Sequence, residues 1–143
     1  MQIPGGRSTI SKKEGSVRTM KEIVNSPKAP AAIGPYSQAV KAGEMLFTSG
    51  QLGVDPATGE LAGEDVASQA RQALKNLGAI LEEAGYGYGD TVKTLCFLSD
   101  MGDFAAFNAV YEEFFPNKPA RSCVAVKQLP KNARCEIEAV CCK

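Results

Sequence analysis

The chain has 143 residues, 44% hydrophobic and 22% charged; it is long enough for one core, too short for two, and not composed like a disordered segment. Its 16 basic residues balance 16 acidic ones, which removes any general pull toward nucleic acid or anionic lipid. Histidine is absent, which excludes Ser-His and Cys-His relays and the usual histidine-ligated metals.

Residues 1 to 19, MQIPGGRSTISKKEGSVRT, are polar and aperiodic and read as a flexible leader, a cloning remnant in preference to a transit peptide, with Met20 as the natural start of a single domain over residues 20 to 143. No apolar stretch approaches the roughly 18 residues of a membrane helix, so a soluble, cytoplasmic protein is expected. The domain opens with strands in KEIVNS and in QAVKAGEMLFTSGQL, the latter turning at Ala42-Gly43, followed by a Pro/Gly-marked loop, VDPATGELAG.

From Glu64 to Ala84, apolar residues recur at Val66, Ala70, Ala73, Leu74, Leu77, Ile80, Leu81 and Ala84, a helical stripe closed by Gly85. Gly78 costs that helix roughly 1 kcal/mol relative to Ala, which points to close approach by a neighbour. TVKTLCFLSD is a strand. DMGDFAAFNAVYEEFF is a second helix with Asp100 as N-cap, a stripe of Phe104, Phe107, Val110, Tyr111 and Phe114, and a stop at Pro116. RSCVAVKQL and RCEIEAVCC are the last strands. The order β-β-α-β-α-β-β predicts an α+β fold, a mixed sheet with both helices on one face and the other face bare.

The five cysteines, Cys96, Cys123, Cys135, Cys141 and Cys142, form no C-x-x-C pair and suggest neither a disulfide framework nor a structural metal. Cys96, Cys135 and Cys141 fall in apolar runs and read as small core hydrophobes; Cys123 stands apart. Strand parity places Ser122, Val124 and Val126 toward the helices and Arg121, Cys123 and Ala125 on the bare face. The same parity puts Cys135, Ile137 and Ala139 inward and Glu136, Glu138 and Val140 outward. A cation, a thiol and two carboxylates are then expected on one face. Parity alone favours a solvated face, but its apolar members make burial by a partner subunit the better explanation.

GPYSQAV (34 to 40), FTSGQLGVDPATGEL (47 to 61), DFAAFNAVYEEFF (103 to 115), PARSCVAV (119 to 126) and EIEAV (136 to 140) together resemble the RidA family, also called YjgF, of enamine/imine deaminases. The resemblance runs from about Met20 to the C-terminus, and PARSCV is specific to the deaminase branch. It implies a chorismate-mutase-like fold, a homotrimer with bare sheet faces toward the centre, and a pocket at each subunit interface. It implies a cofactor-independent 2-iminobutanoate/2-iminopropanoate deaminase acting on small 2-imino or 2-enamino acids.

Position by position, the resemblance makes Arg121 the carboxylate-binding arginine and Cys123 the cysteine beside it. Tyr36, Ser49, Gly50 and Asn108 become substrate-binding residues, and Glu136 the residue that positions water. A guanidinium suits such a substrate because it holds a carboxylate through two parallel hydrogen bonds, which lysine cannot do. Hydrolysis then needs an aimed water and acid/base help, with no metal or organic cofactor. Cys123 ranks as a pocket-lining group ahead of a nucleophile, because Arg121 is its only visible activator. Tyr36 can equally be a core aromatic, Asn108 a solvated helix residue, and Ser49 with Gly50 a strand end. The alternative class is a translation inhibitor with ribonuclease activity, or a binding or chaperone-like member of the superfamily. The nucleic-acid version lacks a basic patch with interleaved aromatics.

Overall fold

The computed structural model describes residues 21–143; the expected leader and Met20 lie outside them. β1 (Lys21–Val24), β2 (Ala39–Ala42) and β3 (Met45–Thr48) form an antiparallel meander. The second and third strands are joined through Gly43, whose φ of +61° lies in the left-handed region open to glycine at little cost. The stretch expected to continue as one strand breaks after Thr48. Ser49 donates its backbone N–H to the Gln38 carbonyl and its hydroxyl to the Ser37 carbonyl, and β4 (Gln51–Leu52) restarts against the last strand of the chain, which β3 also pairs.

The first helix, α1 (Val66–Glu83), is two residues shorter at its start than expected, because the Asp65 carboxylate accepts from the Ser68 N–H and caps it there. Its expected stripe is the core: Val66, Ala70, Ala73, Leu74, Leu77, Ile80 and Leu81 are buried. Gly78 does meet a neighbour. The Tyr88 hydroxyl occupies the space a side chain would need there and donates to the Leu74 carbonyl at 2.7 Å.

β5 (Thr91–Leu98) follows, and then α2 (Phe104–Phe114). Asp100 caps a short 3-10 turn, Met101–Asp103, ahead of the second helix instead of the helix itself. Phe107, Val110 and Tyr111 are buried as expected; Phe104 and Phe114 are partly covered, and Phe115, just past the helix end, completes the core.

β6 (Ala120–Ala125) runs parallel to β5, and β7 (Cys135–Cys142) returns between β3 and β5, antiparallel to both. The sheet order is β1-β2-β3-β7-β5-β6, with β4 also paired to β7. This is the mixed sheet expected, with both helices on one face. α1 packs on β4 and β7. α2 reaches β5 through the Tyr111 hydroxyl, 2.7 Å from Thr94 Oγ1. No helix of the described residues is long and apolar enough to cross a membrane.

The bare face is also observed, but β6 presents it with the opposite parity to that expected. Arg121 and Cys123 are register partners of Thr94 and Cys96, both fully buried beneath the helices, so the arginine and the thiol lie on the helix side. Val124 is 47% exposed on the bare side, beside Phe97. The reason is that β6 is an edge strand with apolar residues on both faces, so hydrophobicity does not mark its inward side. On β7 the parity holds: Cys135, Ile137, Ala139 and Cys141 are buried, while Glu136, Glu138 and Val140 face outward.

Candidate active site

Glu136 and Glu138 stand two residues apart on the outward side of β7 and line an open cleft of about 660 Å³. β4 builds one wall by pairing Leu52 with Glu136. Gly50 precedes it and lies so close to the Glu136 carboxylate that a Cβ there would overlap it. Buried Asn76 of α1 steadies this wall, donating to the carbonyls of Leu52 at 3.0 Å and Val54 at 2.8 Å. The opposite wall is the loop before β2, which carries Tyr36. Buried Gln38 pins that loop, accepting from the Ser26 N–H at 2.6 Å and donating to the Pro30 carbonyl at 2.8 Å. The Ile33 N–H donates to the Tyr36 hydroxyl at 3.4 Å.

The cleft thus gathers Tyr36, Ser49, Gly50 and Glu136 of the expected set. Glu138 lies there too, on the outward face parity gave it, and the cleft adds Leu52 and Lys131, which were not expected there. Lys131 sits at φ +59° and Asn132 at φ +57°, a left-handed turn after Pro130. Burial pushes the Glu136 carboxyl above its ordinary value, and the neighbouring Glu138 charge adds to the rise. The shift makes the carboxylate a stronger base than an ordinary glutamate.

The remaining expected residues form a second cluster across the sheet. The Arg121 guanidinium donates to Asn108 Oδ1 at 2.7 Å. Its carbon lies 4.7 Å from the centre of the Tyr111 ring and 5.5 Å from that of Phe104. Asn108 therefore does not simply face solvent. Phe104, Asn108 and Tyr111 are spaced to share one helix face, a signal available in the sequence but read there as core. Among the described residues no salt bridge includes Arg121.

Cys123, half-buried beside Arg121, has its thiol pushed up by burial, with the guanidinium opposing the shift. That balance keeps the sulfur protonated at neutral pH and disfavours a thiolate nucleophile. Among the described residues no group of three or more Cys, Asp or Glu side chains could hold a metal. The expectation that cation, thiol and both carboxylates share one face is therefore corrected. One chain holds two separate clusters, a carboxylate cleft on the bare side and an aromatic-backed arginine on the helix side of the sheet edge.

The sequence pattern of the family described as endoribonuclease L-PSP matches residues 26–143. The 2-iminobutanoate/2-iminopropanoate deaminase of Salmonella typhimurium is 54% identical over 125 residues, covering 85% of this chain and 97% of that protein. Among solved structures, the YjgF gene product of E. coli is 51% identical with a TM-score of 0.82, covering 85% of this chain and 98% of that one. E. coli TdcF with bound serine is 47% identical with a TM-score of 0.82, over the same shares of the two chains.

Proposed function

Because the chain belongs to the RidA/YjgF family, the one described as endoribonuclease L-PSP, we propose that it is a deaminase that hydrolyses 2-iminobutanoate and 2-iminopropanoate to 2-oxo acids and ammonia. The observation that carries this reading is the division of the candidate site. A guanidinium that makes no ion pair among the described residues stands at the sheet edge, and a half-buried carboxylate stands in a cleft on the other face.

One copy cannot bring Arg121 to Glu136 through its own sheet. A second copy can, by laying its β6 edge on the bare face of the first. That face carries exposed Ile23, Phe47 and Val124, apolar surface that favours coverage. The assembly proposed is a homotrimer of chorismate-mutase-like architecture, in which each contact joins one copy's arginine cluster to the next copy's cleft. The relatives support the reading in kind: the Salmonella protein bears the deaminase name, and the serine held by TdcF presents a carboxylate beside a nitrogen-bearing carbon, as a 2-imino acid does.

In the joined site Arg121 holds the substrate carboxylate through two charge-assisted hydrogen bonds, with Asn108 and the ring of Tyr111 fixing the fork. Glu136 takes a proton from a water as the water oxygen bonds to the imine carbon. The C=N π electrons move to nitrogen, which takes that proton from Glu136 and gives a carbinolamine. The Glu136 carboxylate then takes the carbinolamine hydroxyl proton and passes it to nitrogen, the C=O bond forms as the C–N bond breaks, and ammonia leaves the 2-oxo acid. Proton transfer by a positioned group contributes on the order of 10²–10⁴-fold. Ser49, its hydroxyl hydrogen committed to the Ser37 carbonyl, offers an acceptor to the cleft, and Cys123 lines the pocket as a thiol.

The ribonuclease reading attached to the family description is disfavoured by the cleft, whose two carboxylates against one lysine repel a phosphate backbone. The test supplies 2-iminobutanoate in situ from a threonine dehydratase and follows 2-oxobutanoate and ammonia. Acceleration by the protein is expected; hydrolysis at the unaided rate would contradict the proposal.

A further inference from the structure

Arg121 is the longest cationic arm of the proposed site, and an arginine at a sheet edge ordinarily samples several rotamers at an entropic cost to binding. Three contacts restrain it here, one of them the Phe104 ring, whose centre is 5.5 Å from the guanidinium carbon. Asn108 accepts from one guanidinium nitrogen at 2.7 Å. The Tyr111 ring lies under the guanidinium carbon at 4.7 Å. That ring is in turn held from behind, because the Tyr111 hydroxyl is 2.7 Å from Thr94 Oγ1, and Thr94 is fully buried and is the register partner of Arg121 itself. Thr94 and Arg121 therefore share one rung of the sheet, with the Tyr111 side chain spanning from one to the other. Among the described residues the phenol makes no other hydrogen bond, and its ring packs on Phe107 and Phe115, which seat it in the core.

We infer that Tyr111, aimed by Thr94, is a positioning residue for the carboxylate clamp: its ring face presets the Arg121 fork before substrate arrives. This rests on the proposed role of Arg121. A ring that only filled the core would affect stability; a ring that presets the guanidinium also affects how tightly a carboxylate is held.

The test compares the wild-type protein with Tyr111→Leu, which removes the ring, and Thr94→Val, which releases it without altering α2. Tyr111→Leu is expected to raise KM for 2-iminobutanoate roughly 3- to 30-fold, with kcat changed less. Thr94→Val should raise KM by a smaller factor. In NMR spectra the Nε–H resonance of Arg121, identified by its loss in Arg121→Lys, should be displaced by the ring current in the wild type and move toward the free-arginine position in both variants. If Tyr111→Leu fails to fold, Thr94→Val carries both readouts. Unchanged resonance and KM in a folded variant would overturn the inference. A wild-type protein that does not accelerate hydrolysis would instead sink the deaminase reading, and the arginine resonance would then decide the positioning claim alone.

Discussion

Gly50→Ala perturbs the cleft by a single methyl group, and its effect can be worked from the geometry. A Cβ at Gly50 would lie 2.7 Å from Glu136 Cδ and 2.9 Å from Cγ. Ordinary carbon–carbon contact is about 3.5–4.0 Å, so the carboxylate arm must retreat by about 1 Å. The backbone at Gly50 is not in the left-handed region, and the obstructing atoms are the end of a flexible side chain. Folding should therefore be preserved, with a Tm equal to or slightly above wild type as the unfolded chain loses freedom. Catalysis should not be preserved: a displacement of about 1 Å at the group that aims the water costs on the order of 10²-fold, expressed in kcat. The assay is initial rate of 2-oxobutanoate formation from imine generated in situ, beside a thermal melt and a solution mass. A folded Gly50→Ala protein with kcat within about two-fold of wild type would refute the placement of Glu136 as the water-handling group.

Arg121→Lys should lower kcat/KM by roughly one to two powers of ten, since a point donor replaces a planar fork, while solution mass stays unchanged. Cys123→Ser should cost much less, and iodoacetamide should alkylate Cys123 slowly at neutral pH, as expected of a thiol whose burial keeps it protonated. If ionised Glu136 is the base, kcat/KM rises with pH through its elevated titration. Burial is the main cause of that elevation and Glu138 the second, so Glu138→Gln should shift the acid limb of the profile to lower pH; an unmoved limb would remove Glu138 from the account. Gly78→Ala should destabilise the fold by about 1–3 kcal/mol, read as a fall in Tm, because the Tyr88 hydroxyl occupies the space of the new methyl.

Both helices were legible in the sequence because each carries an unbroken 3.6-residue stripe and a local stop. The ends differed where a side chain chose the cap, as Asp65 does for α1. The break between β3 and β4 was not legible, since it depends on Ser49 bonding to Ser37 and Gln38 in the loop that enters β2, a contact no local pattern marks. Parity succeeded on β7, whose neighbours on both sides bury one face, and failed on β6, an edge strand where Val124 is left out and Arg121 is tucked against α2. The residue types of the candidate site came from the motif resemblance. Their division between two faces could not, because it is set by where α2 crosses the sheet edge. Tyr111 and Phe104 read as core stripe for the same reason: helical spacing marks a buried face without saying that a guanidinium covers part of it.

The central claim is that each site takes its arginine from one copy and its carboxylate from another. Arg121→Lys and Glu136→Gln proteins, each of low activity alone, are unfolded together, refolded as a mixture and assayed on 2-iminobutanoate. Random assembly of a cyclic trimer leaves about a quarter of the sites with both native residues, so about a quarter of wild-type activity should return. Activity no greater than the mean of the two separately refolded variants would contradict a site shared between copies.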